Sequence, residues 1–293
     1  MKLAVFDDFR LGVLNDSHVY DVTQTVPSVL DSWPEQRMNW LIRGWSHIAA
    51  ELADLKPFKA RPLDSVQLRA VNPAPGQVFA IPANYLAHIG ELGDRAISTE
   101  ASSLRRAEFF LKAAGSVSGV GEGIRLPAGS ARRFDHECEL GVVVGRGGRD
   151  IPRSEALEYV FGYTCLLDMT MRIEPGSRQE DRSMRKSFRT FTPTGPYLLT
   201  ADEVSDWKDL TVSLAVNGEQ RQSAQTQDMV LALDEMIELI SSVVDIRPGD
   251  IIATGTPAGV GPVTVGDSVT ISISGVGEMT LPVGEAEPSA LAF

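Results

Sequence analysis

A short acidic pattern at the start of an apolar run constrains this chain more than any other feature. The run FDHECELGVVVG extends from Phe134 to Gly145 and is typical of a β-strand that continues into a core. Because successive side chains of a strand point to opposite faces, Glu137 and Glu139 are expected on one face and Cys138 on the other. Two neighbouring carboxylates repel each other, so the pKa of each rises unless a cation keeps them ionised.

A third acidic residue extends this pattern. Asp168 closes the apolar run YTCLLD on a second predicted strand. Carboxylate oxygens suit hard divalent cations such as Mg²⁺ or Mn²⁺, so Glu137, Glu139 and Asp168 are candidate metal ligands. One alternative stays open at this point, in which the acids are rim carboxylates paired with nearby arginines, namely Arg132, Arg133 and Arg172.

Composition narrows the class of protein. The 293-residue chain carries a net charge of −12 and has a sequence pI near 4.8, which argues against nucleic-acid and anionic-membrane partners. The N-terminus lacks a long apolar signal region, and no stretch reaches the ~18 apolar residues of a membrane-spanning helix. Cys138 and Cys165 lie in apolar runs, so we expect free buried thiols rather than a disulfide framework. A cytoplasmic protein is the resulting expectation.

The chain is predicted to be α+β and mostly β, with two domains. Residues 1–72 are expected to form a small N-terminal α/β domain, and residues 73–293 a larger β-rich domain. Residues 3–22 alternate in polarity, as hairpin strands do. The stretch VNPAPGQ, residues 71–77, contains two prolines and a glycine and is interpreted as the linker.

Helices are predicted in both domains. Ser32 and Glu35 match a capping box, and a helical stripe that includes Trp40 and Trp45 follows it. A stripe of this kind usually faces a core, so the two tryptophans are expected to be buried. A short helix is expected from Ser154 to about Val160. Another is expected from about Leu233 to Val244.

Two further stretches carry groups for acid–base chemistry. In PANYLAHIGELG, His88 and Glu91 lie one helical turn apart, so the carboxylate could orient an imidazole that acts as a general base. An exposed surface pair is the alternative. In FFLKAAGS, Lys112 follows an apolar run and, if buried, needs an anionic partner from the protein or from a substrate.

Loops supply the remaining signals. The polar segment from Glu174 to Lys186 is either a functional lid or disorder. Asn217 and Gly218 predict a tight two-residue hairpin turn. The glycines of TGTPAGVG are typical of a loop near a ligand, and are as frequent in turns without one. Neither a phosphate-binding loop nor a dinucleotide fingerprint is present.

From about residue 73 to the end, the chain resembles the fumarylacetoacetate hydrolase family. The matching stretches occur in the family's order: PANYLAHIGELG, FFLKAAGS, DHECELGVVVG, GYTCLLDMTMR, KSFRTFTPTGP, VNGEQRQ, RPGDIIATGTPAGVG and VGDSVTISISGVG. The resemblance implies a β-roll or sandwich catalytic domain, which in this family is usually dimeric.

The resemblance also implies a chemistry and its residues. It implies a hydrolase of aromatic-compound catabolism that cleaves a carbon–carbon bond in a β-diketo acid, a small 2-oxo or 2,4-dioxo acid such as an acylpyruvate. It places Mg²⁺ or Mn²⁺ on the acidic triad, catalysis on a His–Glu dyad with a lysine, and substrate binding on four more side chains. These residues are Glu137, Glu139 and Asp168 for the metal, His88, Glu91 and Lys186 for catalysis, and Tyr85, Lys112, Arg172 and Thr256 for the substrate.

Three departures from the family pattern bear on the substrate. Arg185 stands where a glycine often precedes the lysine of KSF, Glu174 replaces a common aspartate, and Ala113 and Ala114 replace a proline-rich continuation. Decarboxylation of oxaloacetate and isomerisation or hydration of unsaturated 2-oxo acids stay open as alternatives. A protein that only binds small acids is a third possibility, against which the intact acids and the His–Glu pair argue.

Overall fold

The computed structural model describes residues 1–92, 108–173 and 181–289, apart from the side chains of Ile89, Glu91 and Leu92. The α-helices in these residues are α1 (Arg37–Arg43), α2 (Trp45–Leu52), α3 (Leu86–Leu92), α4 (Arg182–Arg185) and α5 (Leu233–Val243). None of them is long and apolar enough to cross a bilayer.

Strands dominate the described residues, which confirms the mostly β prediction. They are β1 (Lys2–Phe6), β2 (Arg10–Asn15), β3 (His18–Asp21), β4 (Lys59–Pro62), β5 (Val78–Ala80), β6 (Phe110–Lys112), β7 (Val117–Ser118), β8 (Ile124–Leu126), β9 (Phe134–His136), β10 (Cys138–Val144), β11 (Val160–Leu167), β12 (Thr170–Met171), β13 (Thr192–Thr200), β14 (Thr211–Val216), β15 (Glu219–Gln225), β16 (Ile251–Ala253), β17 (Gly261–Pro262), β18 (Ser268–Ile273) and β19 (Gly277–Glu285).

The described strands form two larger sheets and a third, small sheet. The large sheet has the order β4-β3-β2-β1-β13-β11-β10-β16-β5-β6, with β7 added beside β13. The five-stranded sheet runs β15-β14-β18-β19-β8, and the small sheet runs β12-β9-β17. The Asn217–Gly218 turn joins β14 to β15 as predicted, since both residues have positive φ.

The strands β10 and β11 are buried on both faces, which explains their continuous apolar sequence. Cys138, Leu140 and Val142 pack in a core with the five-stranded sheet. Val143 faces a second core, which contains Leu3 and other residues of the N-terminal region. Glu139 lies two residues before Gly141 and four residues before Val143. Its side chain is therefore on the same face of β10 as Val143, the face of the second core.

The N-terminal region joins the large sheet directly. β1 pairs with β13 through Lys2 and Leu3, so residues 1–72 and the larger domain share one hydrogen-bonded ladder. Asn72, in the predicted linker, is fully buried and donates hydrogen bonds to Asn39 Oδ1 and to the Gly249 carbonyl oxygen, at 2.8 and 2.7 Å. The boundary at residue 72 remains a prediction, and the chain around it is tightly packed.

Two helix predictions need correction. The N-terminal helix does not begin at a Ser32 capping box: a 3₁₀ turn precedes α1, and Gly44 separates α1 from α2. As a result the helical stripe is broken, and Trp40 is 46% exposed rather than buried. Trp45 packs edge-on against Phe161, with ring centroids 5.1 Å apart.

The two later helix predictions agree more closely with the structure. The segment expected to be a short helix is a 3₁₀ helix over Arg153–Tyr159. The helix expected from Leu233 is α5, which ends at Val243. Its acidic first turn, with Asp234 and Glu235, suits the positive end of a helix dipole.

Candidate active site

The three acidic residues meet at one end of the β10–β11 pair. Cys138 and Leu167 are opposite each other in this antiparallel pair, and the Asp168 backbone N–H donates to the Glu137 carbonyl oxygen at 2.8 Å. The register therefore brings Asp168 beside Glu137 and Glu139. Ligand oxygens of the three carboxylates lie within 4.8 Å of one another, and all three residues are buried. The sequence prediction that these acids converge is confirmed.

Two buried lysines approach the acids. Lys186, just after α4, donates from Nζ to Glu137 Oε2 and to Asp168 Oδ2, both at 2.6 Å. Lys112, at the end of β6, pairs with the other Asp168 oxygen, Oδ1. The remaining Lys112 protons go to the carbonyl oxygens of Lys186 and Phe191, at 2.6 and 3.1 Å. The anionic partner expected for a buried Lys112 is thus a protein carboxylate.

The three acids do not share the nearby positive charges equally. Burial opposes the ionisation of Glu137, but the charges of Lys186 and Arg172 outweigh it and hold the pKa of Glu137 at about 2. Burial and the charge of Asp168 instead raise the pKa of Glu139 well above its usual range. The Glu139 carboxylate receives a hydrogen bond from the Gly255 backbone N–H at 2.7 Å. One acid of the triad is therefore short of positive charge.

This chemistry fits a hard divalent cation. The three donors are carboxylate oxygens, the ligand type that Mg²⁺ and Mn²⁺ prefer. A cation among them would supply the positive charge that Glu139 lacks, because an opposite charge within a few ångströms favours the ionised form of a carboxyl group.

Arginines also reach the site, as the pairing alternative anticipated. Arg172 donates from Nη2 to Glu137 Oε1 at 2.9 Å and from Nε to Asp135 Oδ2 at 2.6 Å. Arg133 pairs with the same Asp135. The arginine pairing of this alternative therefore holds for Glu137, but the residue is buried and not at a rim. The Glu139 carboxylate accepts its hydrogen bond from a backbone amide.

Helix α3 brings the candidate base to the triad. Asn84 lies just before the helix and fixes its start, since its side chain donates to the carbonyl oxygens of Leu231 and Thr254 at 3.0 and 2.8 Å. His88 is buried and lies close to Glu137. Burial raises the pKa of Glu137, and the charges of Lys186 and Arg172, with a smaller effect of His88 when it is protonated, lower it. The side chain of Glu91 and the whole of Glu174 lie outside the described residues.

Tyr85 is a buried phenol one turn before His88. Its residue is 2% exposed, and among the described residues its hydroxyl has no hydrogen-bond partner. Burial, then the charges of Cys138, Glu139 and Asp228, raise the pKa of Tyr85 well above its usual range. Tyr85 therefore stays a neutral phenol that retains a proton to donate.

The glycine-rich loop after β16 closes the site from another side. Gly255 has φ of +95°, and a side chain there would contact Asn84. Thr256, expected to bind substrate, donates its hydroxyl to the Cys138 carbonyl oxygen at 2.9 Å and accepts from Gln222 at 2.8 Å. Asn84 and Gln222 are the two residues that the sequence analysis missed. Each lies inside a family motif, which was the available signal, but neither is an ionisable group and other polar residues stand beside both.

Two of the departures noted in the sequence, at Arg185 and Ala113, lie among the described residues. The Arg185 guanidinium donates to the Met171 carbonyl oxygen at 2.9 Å, so this arginine holds α4 against β12. The Ala113 backbone N–H donates to Ser187 Oγ at 2.9 Å. The second contact ties the chain segment that carries Lys112 to the one that carries Lys186.

Comparison with known proteins gives consistent matches. A family model described as the C-terminal domain of fumarylacetoacetate (FAA) hydrolase matches residues 77–284. A maleylpyruvate hydrolase from Aquipseudomonas alcaligenes is 41% identical over 294 residues, which cover 97% of this chain and 99% of that protein.

Solved structures agree with the sequence matches. The crystal structure of maleylpyruvate hydrolase from Sphingobium sp. SYK-6 superimposes with a TM-score of 0.84 at 39% identity, covering 98% of this chain and 100% of that one. A structure of maleylpyruvate hydrolase from the same source with manganese(II) and pyruvate gives a TM-score of 0.85 at 38% identity, with the same coverage.

Proposed function

Because the chain belongs to the fumarylacetoacetate hydrolase family, we propose that it is a divalent-metal-dependent hydrolase that cleaves a carbon–carbon bond in an acylpyruvate. The buried triad of Glu137, Glu139 and Asp168, with the buried His88 close to Glu137, is the observation that carries this proposal. A protein that only binds small acids has no need of a base. Maleylpyruvate, the substrate in the names of its relatives, is the proposed first choice of acylpyruvate.

The metal would be held by Glu137, Glu139 and Asp168. Either Mn²⁺ or Mg²⁺ suits this ligand set, and manganese is present in a relative's structure. When bound, such an ion supplies Lewis-acid stabilisation of negative charge and a template for the 2-oxo acid end of the substrate. Lys186 adds a fixed positive charge next to Glu137 and Asp168.

His88 is proposed as the general base, oriented by Glu91. A neutral imidazole takes a proton from water, and the resulting hydroxide attacks the carbonyl carbon of the acyl group. The bond between that carbon and C3 of the pyruvate unit then breaks, releasing a carboxylic acid and the enolate of pyruvate. The imidazolium returns its proton to C3, so one water is consumed and pyruvate is formed.

Four other side chains are divided between substrate binding and support. Tyr85 has a free hydroxyl proton and Arg172 is partly exposed, at 29% of its side chain, so both are proposed to contact substrate oxygens. The donors of Lys112 and Thr256 already serve protein acceptors. We therefore propose that these two hold the site in shape.

A stoichiometric assay tests the function. Maleylpyruvate with Mn²⁺ should yield pyruvate and maleate in equal amounts, with no carbon dioxide. Oxaloacetate serves as the control, because its decarboxylation gives pyruvate without needing a nucleophilic water. Carbon dioxide release from oxaloacetate, with no cleavage of any acylpyruvate, would favour the decarboxylase alternative.

His88 separates the two chemistries further. His88→Ala should lower acylpyruvate hydrolysis by roughly 10²-fold or more at saturating metal, the usual range for a lost general base. Any oxaloacetate decarboxylation should fall less. His18→Ala, at an exposed histidine of β3, is the matched control. Acylpyruvate hydrolysis within about threefold of the parent would show that His88 is not the base.

Assembly and location complete the proposal. We propose a cytoplasmic homodimer with Mg²⁺ as an alternative native ion, as the family resemblance implies. Light scattering at micromolar concentration measures the mass, and a monomer would contradict the dimer. Comparing turnover with Mg²⁺ and with Mn²⁺ distinguishes the metals.

A further inference from the structure

Cys138, the residue between two of the acids, lies beyond the end of one strand ladder. On one side, β10 pairs with β11 along its whole length, including Cys138 with Leu167. On the other side, β16 pairs only with Gly141 to Val143. The Cys138 N–H and C=O face this second side, since Glu137 bonds to the β11 side through Asp168. They therefore need partners that the ladder does not provide.

Gln222 and Thr256 supply these partners. The Cys138 N–H donates to Gln222 Oε1 at 3.1 Å, and the Thr256 hydroxyl donates to the Cys138 carbonyl oxygen at 2.9 Å. Gln222 Nε2 donates to Thr256 Oγ1 and to the Pro257 carbonyl oxygen, both at 2.8 Å. These contacts form a closed hydrogen-bonded ring through Gln222, Thr256 and the N–H and C=O of Cys138, which belong to the two peptide units that flank this residue.

The orientation of the Gln222 amide follows from its neighbours. A backbone N–H can only donate and a backbone carbonyl can only accept, so Oε1 must face Cys138 and Nε2 must face Pro257. His136 Nδ1 lies 3.0 Å from the same Oε1 and therefore carries a proton. With Gln222 1% exposed, the side chain has no alternative partner in water.

We infer that Gln222 is a positioning residue for the acidic triad, because it fixes the backbone of Cys138, between Glu137 and Glu139, through a direct and a Thr256-mediated hydrogen bond. It comes from β15 of the five-stranded sheet, so it also ties that sheet to the strand that carries the acids. This inference rests on the metal site of the proposed function. Residues that orient metal ligands typically change metal affinity or activity 10- to 100-fold when substituted.

The main test measures metal affinity without substrate. Gln222→Met keeps the side-chain length and removes every hydrogen bond of the amide. Calorimetric titration with Mn²⁺, well below the melting temperature, should show a Kd raised by roughly 10- to 100-fold. Gln220→Met, at an exposed position of the same strand, is the matched control and should bind Mn²⁺ like the parent. A structural role alone would lower the melting temperature and leave Kd unchanged.

Thr256→Val provides an independent arm that does not require Gln222→Met to fold. Removing this hydroxyl breaks the link between Gln222 and the Cys138 carbonyl, so Kd should again rise, by about 10-fold. If both residues act as one ring, the double variant should lose less than the sum of the two free-energy changes. Folded Gln222→Met or Thr256→Val protein with a Kd within about threefold of the parent would overturn the inference.

The outcomes separate this inference from the proposed activity. Mn²⁺ binding that depends on Gln222, in a protein that hydrolyses no acylpyruvate, would support the positioning role and contradict the substrate. A parent protein that binds no Mn²⁺ would overturn both.

Discussion

Lys112 shows how a buried charge can serve the protein rather than the substrate. Its side chain is fully buried, and its ammonium group is surrounded by Asp168 Oδ1 and the carbonyl oxygens of Lys186 and Phe191. Burial lowers the pKa of Lys112, and the negative charge of Asp168 opposes this effect. The three acceptors use all three ammonium protons.

Replacing Lys112 should therefore affect stability first. Lys112→Met removes the donor to Asp168 Oδ1 and to the Lys186 carbonyl oxygen, whereas the Phe191 carbonyl oxygen keeps its bond from the Met169 N–H. The substitution should lower the free energy of unfolding by about 3 kcal/mol, as in other broken buried pairs. Denaturant unfolding measures this, with exposed Lys56→Met as the control, expected within about 0.5 kcal/mol of the parent. If KM rose while stability stayed constant, Lys112 would be a substrate contact instead.

The raised pKa of Glu139 makes metal binding depend on pH. A folded-state pKa above the unfolded value stabilises the metal-free protein at low pH, and this contribution is lost as pH rises through the folded pKa. A cation requires the ionised carboxylate and must displace the proton. The increase in melting temperature caused by Mn²⁺ should be larger at about pH 8 than at about pH 6. An equal increase at both values would contradict the assignment.

At the scale of the elements, residue chemistry was easier to predict than element boundaries. The period of two placed Glu137 and Glu139 on one face, and the structure agrees because carboxylate oxygens of the two residues lie within 4.8 Å of each other at the start of β10. The Ser32 cap and the continuous tryptophan helix were wrong, because Gly44 ends α1 and local spacing does not reveal which side a short helix presents. Gln222 was missed because its importance comes from a contact between two sheets.

The loop after β16 offers a test of how elements position the triad. In Gly255→Ala the new Cβ would lie 2.5 Å from Asn84 Cβ, at a φ of +95°. We expect the free energy of unfolding to fall by about 1–3 kcal/mol, because the cost of the strained backbone adds to the cost of the close contact with Asn84. The Gly255 N–H also moves away from Glu139, so stabilisation by Mn²⁺ should fall.

Gly218→Ala is the control for this substitution. Gly218 also has positive φ, +81°, but a Cβ there meets no atom within 4 Å. Its cost should be near 1 kcal/mol, with unchanged stabilisation by Mn²⁺. Equal metal responses in the two variants would mean that the loop does not position Glu139. Melting curves with and without Mn²⁺ measure both effects.

At the scale of the whole molecule, the site depends on parts that are distant in sequence. The N-terminal strand β1 extends the sheet beside β13, β11 and β10, so residues 1–72 support the strands that carry the acids. The family motifs predicted the β-rich fold because most of them lie on strands of the two main sheets, such as β6, β10, β11, β15, β16 and β18. They could not predict the shared sheet, since pairing between β1 and β13 leaves no local pattern.

Metal-dependent cleavage is the central claim, and one measurement tests it most directly. Pyruvate release from maleylpyruvate should stop in excess chelator and return when Mn²⁺ is added in excess. Glu139→Gln should remain folded, and its activity should be lower by at least about 10²-fold. This loss equals the largest that is typical of residues that only orient metal ligands, as expected for a residue that binds the metal itself. Glu278→Gln, at an exposed position of β19, should behave like the parent. Full turnover in excess chelator, or a fully active Glu139→Gln protein, would contradict the account.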